Sequence, residues 1–88
     1  MSQVIYKYPL EIEDVQTLRL HANCKPLCTQ VLDGDIYMWC KVNIDLPVKE
    51  YQVHMYGTGH IYEEIKDDYV GTVQLHNGKL VYHIFIED

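Results

Sequence analysis

Tyr69-Val70-Gly71-Thr72-Val73-Gln74-Leu75-His76-Asn77-Gly78-Lys79-Leu80-Val81-Tyr82-His83-Ile84-Phe85 is the stretch that decides the fold of this chain. Two runs of alternating apolar and polar residues flank Asn77-Gly78. A type I′ turn needs positive φ at both central residues, and Asn followed by Gly meets that need at the least steric cost. The stretch therefore reads as a β-hairpin. A two-residue loop pairs His76 with Lys79, Leu75 with Leu80, Gln74 with Val81, Val73 with Tyr82 and Thr72 with His83. Because side chains alternate along a strand, one face collects Val73, Leu75, Leu80, Tyr82, Ile84 and Ile86, and is the expected core. The other carries Thr72, Gln74, His76, Lys79, Val81, His83 and Phe85, a mixed polar and aromatic surface open to contact.

Period-two patterning continues outward from this hairpin. Strands are predicted at 4–8, 16–20, 26–32, 35–43, 51–56, 69–75 and 79–86, with Pro26 opening its strand. No stretch sustains apolar residues at i, i+3, i+4 and i+7, and residues 12–16 hold one short turn at most. Asp33-Gly34 is a second hairpin turn, which places Leu27, Thr29, Val31, Ile36, Met38 and Cys40 on one face and Cys28, Gln30, Tyr37 and Trp39 on the other. Six to seven short, mostly antiparallel strands imply an all-β fold, a small sandwich or a partly open barrel.

Size and charge narrow the function. A chain of 88 residues is one domain, residues 1–88, and buries only roughly 60–65% of its unfolded surface, so a single core is expected. The 48% apolar and 23% charged content is that of a globular protein. Neither a basic leader with an apolar core nor an 18-residue apolar run is present, so no membrane association is expected. Thirteen acids against seven scattered bases give a net charge of −6, and without clustered Lys and Arg direct nucleic-acid binding is disfavoured. Three cysteines, an odd number, argue for free thiols and a reducing compartment.

Five separated motifs carry a resemblance: Ile5-Tyr-Lys-Tyr-Pro-Leu10, the lone Trp39 after a Gly turn, Tyr56-Gly-Thr-Gly-His60, Gly71-Thr-Val-Gln-Leu75 and Leu80-Val-Tyr-His-Ile-Phe85. Together, across nearly the whole chain, they look like a family of small phage and prophage proteins of uncharacterised function. The resemblance implies a phage origin and a place in the bacterial host cytoplasm. It brings no activity, cofactor or catalytic residue. The cysteines at 24, 28 and 40 and the acidic run 63–68 depart from the family pattern, so a function built on either belongs to this member alone.

Several chemistries are nonetheless writable. His21, Cys24, Cys28 and Cys40 supply the ligand types of a structural zinc site, but the spacing matches no known knuckle. Alternation also sends Cys28 and Cys40 to opposite faces, and convergence would need a bulge. Packing explains the four residues as well, and neither metal nor cofactor is expected. Gly57-Thr58-Gly59-His60 invites comparison with anion-binding loops. It lacks the third glycine of a dinucleotide fingerprint and the Gly-Lys-Ser/Thr of a phosphate-binding loop. Its glycines read instead as suppliers of positive φ at a strand end. A Cys28 or Cys40 thiol beside His60 or His83 would make a nucleophile and base, yet no motif supports the pairing, and an enzyme is not expected.

Eight tyrosines, Trp39 and Phe85 remain, residues that suit both small cores and recognition surfaces. The expected binding set is Trp39, Tyr56, Gly57, Thr58, Gly59, His60, Thr72, Gln74, His83 and Phe85. The function these features favour is a non-catalytic phage-encoded protein that engages or inhibits a host protein, such as a defence component. The alternative is a protein that sequesters a small, nucleotide-like molecule in a pocket at loop 57–60, and a small enzyme comes third. Open edge strands make a homodimer a further expectation.

Overall fold

Both glycine turns have positive φ at the expected residues, with Asp33 and Gly34 at 52° and 84° and Asn77 and Gly78 at 58° and 84°. His76 also has positive φ, 53°, so the second loop spans residues 76–79 and the expected His76–Lys79 strand pair gives way to a turn. The two turns fix the hairpins around which the rest assembles in the computed structural model, which describes residues 2–88; Met1 lies outside them. Seven strands are present: β1 (Gln3–Leu10), β2 (Val15–His21), β3 (Lys25–Leu32), β4 (Asp35–Asn43), β5 (Val48–Gly57), β6 (Asp68–Leu75) and β7 (Leu80–Glu87). No helix occurs among the described residues, and residues 12–14 form a bend rather than a helical turn. No helix is long and apolar enough to cross a membrane.

The strands form two antiparallel sheets, β1-β4-β3 and β2-β5-β7-β6, stacked as a sandwich. Their inner faces interdigitate through Leu20, Met38, Cys40, Val42, Val53 and Ile84, each essentially inaccessible to solvent. Along β4 every second residue from Ile36 to Val42 is buried, which is the burial that the alternating sequence demands. Burial of such a side chain stabilises the fold by about 1.5–3 kcal/mol.

The terminal hairpin has the expected register: Leu75 opposite Leu80, Gln74 opposite Val81, Val73 opposite Tyr82 and Thr72 opposite His83. Two residues assigned to core faces are exposed. Leu80 is 39% exposed, because it is the first residue of β7 and lies at the mouth of the sandwich beyond the packed layer. Leu27 is 45% exposed, because β3 carries a bulge between Pro26 and Cys28 that lifts it out of the alternation.

A second bulge, between Tyr69 and Gly71, bends β6 where it meets β3 of the other sheet. A Cβ on Gly71 would run into Thr29 Oγ1 and the Thr29 backbone nitrogen, so glycine is what allows the two edge strands to abut. Thr29 Oγ1 is buried there with no hydrogen-bond partner among the described residues. The sandwich is thus closed along the β3–β6 side, while β1 and β2 each pair on one side only.

Candidate binding site

On the outer face of the four-stranded sheet, strand pairing sets side chains in rows. Tyr56, His83 and Thr72 face one another across β5, β7 and β6; His54, Phe85 and Tyr69 form the next row. The segment joining β5 to β6 then folds over these rows. Two tyrosine hydroxyls hold it: Tyr62 Oη accepts from the Gly57 N–H at 2.8 Å, and Tyr56 Oη accepts from the Lys66 N–H at 3.1 Å. His54 and Tyr56 are consequently buried although they point away from the core. Gly57 does not have positive φ; of the two loop glycines only Gly59 does, at 83°. Gly57 instead leaves room for the His60 ring, which would stand 3.1 Å from an added Cβ and would have to shift.

The result is an aromatic pocket of about 380 Å³. Its rings meet edge to face: Tyr56 with Tyr62 at 4.8 Å between centroids, Tyr56 with Phe85 at 5.4 Å, and Tyr69 with Phe85 at 5.3 Å. Ile65 supplies an aliphatic wall, and Thr58, His60 and His83 the polar groups. A line of hydrogen bonds crosses one side. Thr58 Oγ1 is 2.6 Å from His83 Nε2, Thr72 Oγ1 is 3.0 Å from His83 Nδ1, and Tyr69 Oη is 2.6 Å from Thr72 Oγ1. A neutral imidazole donates at one nitrogen and accepts at the other, so His83 can bridge the two threonines without charge.

A charged cluster braces the same face. Glu87 Oε1 is 2.7 Å from His54 Nε2, and Lys66 Nζ lies 3.4 Å from Glu87 Oε2 and 2.8 Å from Glu64 Oε1. The His54 hydrogen bond, with help from Lys66, holds the Glu87 carboxyl below its ordinary value. The hydrogen bond to Glu64 leads the effects that raise Lys66.

Of the ten residues expected at a site, seven line this pocket: Tyr56, Gly57, Thr58, Gly59, His60, His83 and Phe85. Thr72 touches it through His83. Gln74 lies further along β6, beside the 77–78 turn, where its Oε1 approaches Gly78. Trp39 does not belong to the pocket: it is half-buried on the three-stranded sheet, opposite Lys7 and Cys28 and 6.0 Å from Tyr37. Alternation places a side chain on a face of its own sheet but does not say which sheet. Three pocket residues, Tyr62, Ile65 and Tyr69, escaped sequence reasoning. The signal that marks the first two is the presence of apolar Ile61, Tyr62 and Ile65 within an otherwise acidic segment.

The cysteines stand elsewhere. Cys40 is buried in the core, and burial, with Cys24 and Cys28 nearby, pushes its thiol up to about 12. Cys28 lies on the outer face of the three-stranded sheet opposite Trp39, so neither thiol meets His60 or His83 on the other sheet. His21 Nδ1 is 2.7 Å from the Leu46 carbonyl oxygen, to which it donates. Among the described residues no three His, Cys, Asp or Glu side chains converge as a metal site would require.

Fold and site together define a small two-sheet β-sandwich with an aromatic pocket under a strapped loop. The chain belongs to the family DUF7352, a domain of unknown function, whose model matches residues 1–88. Comparison with curated proteins and with solved structures yields no match.

Proposed function

We propose that this is a non-catalytic binding protein that engages a partner protein through the outer face of the four-stranded sheet. The sequence resemblance supports a phage origin and a place in the bacterial host cytoplasm, so the partner is taken to be a host protein that this chain engages or inhibits. The observation that carries the reading is the exposed apolar surface of the pocket and its strap: Ile65 and Tyr69 line the pocket and are more than half exposed, and Ile61, in the same strap, is 99% exposed. Large apolar side chains exposed in this way shed water when a partner covers them. The pocket behind them offers a recess for an anchoring side chain of that partner. The pocket lining is mainly aromatic and aliphatic, and His83 is tied to Thr58 and Thr72 by hydrogen bonds, which supports binding there.

The test is affinity capture from host lysate with the wild-type protein beside Ile61→Asp and Ile65→Asp. A complex retained by the wild type and lost by both variants, with their folds intact, supports the reading; equal capture by all three defeats it. A small ligand is the second reading, favoured by a pocket volume of about 380 Å³, within the range of small-molecule sites. It requires a mass released from the purified protein on denaturation.

A further inference from the structure

The aromatic pocket has a composition that selects for charge. Tyr56, Tyr62, Tyr69 and Phe85 surround it, their close contacts are edge to face, and its lining holds no Asp, Glu, Lys or Arg, with His60 and His83 as its titratable groups. An edge-to-face box presents ring faces as well as edges to its interior, and the face is the electron-rich side of an aromatic ring. Around this box the chain is acidic: between Gly57 and Tyr69 stand Glu63, Glu64, Asp67 and Asp68 against the single base Lys66. Lys66 is already engaged by Glu64 and Glu87. An incoming cation thus meets a negative approach and then a site whose ring faces attract it without a buried carboxylate to desolvate.

We propose that the pocket receives an arginine side chain of the partner protein, inserted from a basic segment that lies along the acidic strap. This rests on the outer sheet face being the docking surface. Arginine fits better than lysine because its guanidinium is planar, more weakly hydrated and able to stack on tyrosine. Its N–H donors also match the hydroxyls of Thr58 and Tyr69 at the pocket wall. The exposed Ile61 and Ile65 then cover apolar neighbours of the arginine, and Glu63, Glu64, Asp67 and Asp68 of the strap attract a basic segment to this face.

The experiment is an amide NMR titration of the wild-type protein at low salt with N-acetyl-arginine N-methylamide, and with the citrulline compound, its neutral isostere. Saturable shifts at Gly57, Thr58, Tyr62 and Tyr69, with the arginine compound roughly fivefold tighter, are expected. Tyr69→Leu should lose that preference and Tyr69→Phe keep it. Equal or tighter binding of citrulline, shifts outside the pocket, no saturable shift with either compound, or a preference intact in Tyr69→Leu each overturns the proposal. None of these outcomes depends on the capture experiment with the Ile61 and Ile65 variants, so the arginine assignment can fail while the docking face stands, and the reverse.

Discussion

His83 Nε2 and Thr58 Oγ1 lie 2.6 Å apart, so a residue in the middle of β7 clasps the first residue beyond β5 and fixes where the strap begins. Thr72 engages the other nitrogen of the same ring. The pocket therefore depends on one imidazole that ties loop to sheet and sheet to neighbour.

Thr58→Val keeps the shape of the side chain and removes its hydrogen bond to His83. A neutral hydrogen bond of this kind contributes about 0.5–1.5 kcal/mol. Thermal unfolding should show a drop of only a few degrees, while amide exchange at residues 58–62 should accelerate clearly. Unchanged exchange there would mean that the two tyrosine hydroxyls alone hold the strap.

Leu75 and Leu80 face each other across the terminal hairpin, yet Leu75 is 8% and Leu80 39% exposed. Leu75→Ala should cost about 2–5 kcal/mol through the cavity it leaves. Leu80→Ala should cost under about 1 kcal/mol. Urea denaturation of the two variants checks the difference, and equal losses would contradict the exposure of Leu80.

Gly71→Ala drives a methyl group against Thr29, where the two sheets abut. Overpacking of that kind costs about 1–3 kcal/mol. Thr29→Val replaces a buried hydroxyl that lacks a partner, so it should be neutral or stabilising. A double-mutant cycle with Gly71→Ala should show the two sites to be coupled.

The thiols provide a pH dependence. Burial raises Cys40 to about 12 and also raises Cys24, Tyr8 and Tyr51. A folded-state pKa above the unfolded one gives stability that is complete below the unfolded value and is lost as pH climbs toward the folded value. For Cys40 that window runs from its ordinary 9.0 to about 12. Melting temperature should fall through this alkaline range. In the native protein at neutral pH a thiol reagent should modify half-buried Cys28 and spare Cys40 until unfolding.

Much of this architecture was legible before the structure. Xaa-Gly turns at 33–34 and 77–78 and strict alternation gave the hairpin registers, the bounds of β4 and the inner face of the sandwich. The bulges at Leu27 and Val70 were not legible, because alternation alone carries no sign of an extra residue, and the close approach of Thr29 to Gly71 between β3 and β6 is a contact between sheets that no local pattern encodes. Much of the pocket lining has a physical basis in the sequence: His83 and Phe85 share a face by alternation, and loop 57–60 lies beside them. Tyr62 and Ile65 come from the irregular strap, where periodicity says nothing. For Trp39 the sequence offers only the general tendency of aromatic residues to anchor binding, which says nothing of its sheet, and it lies on the three-stranded one.

That separation gives the most direct test of the docking face. The affinity of the captured partner should be measured for Ile65→Asp and Trp39→Ala, two surface changes on opposite sheets. Ile65→Asp should weaken binding at least about tenfold, with Trp39→Ala within about twofold of the wild type. Binding that survives Ile65→Asp and collapses with Trp39→Ala would contradict the account, and would move the working surface to the three-stranded sheet.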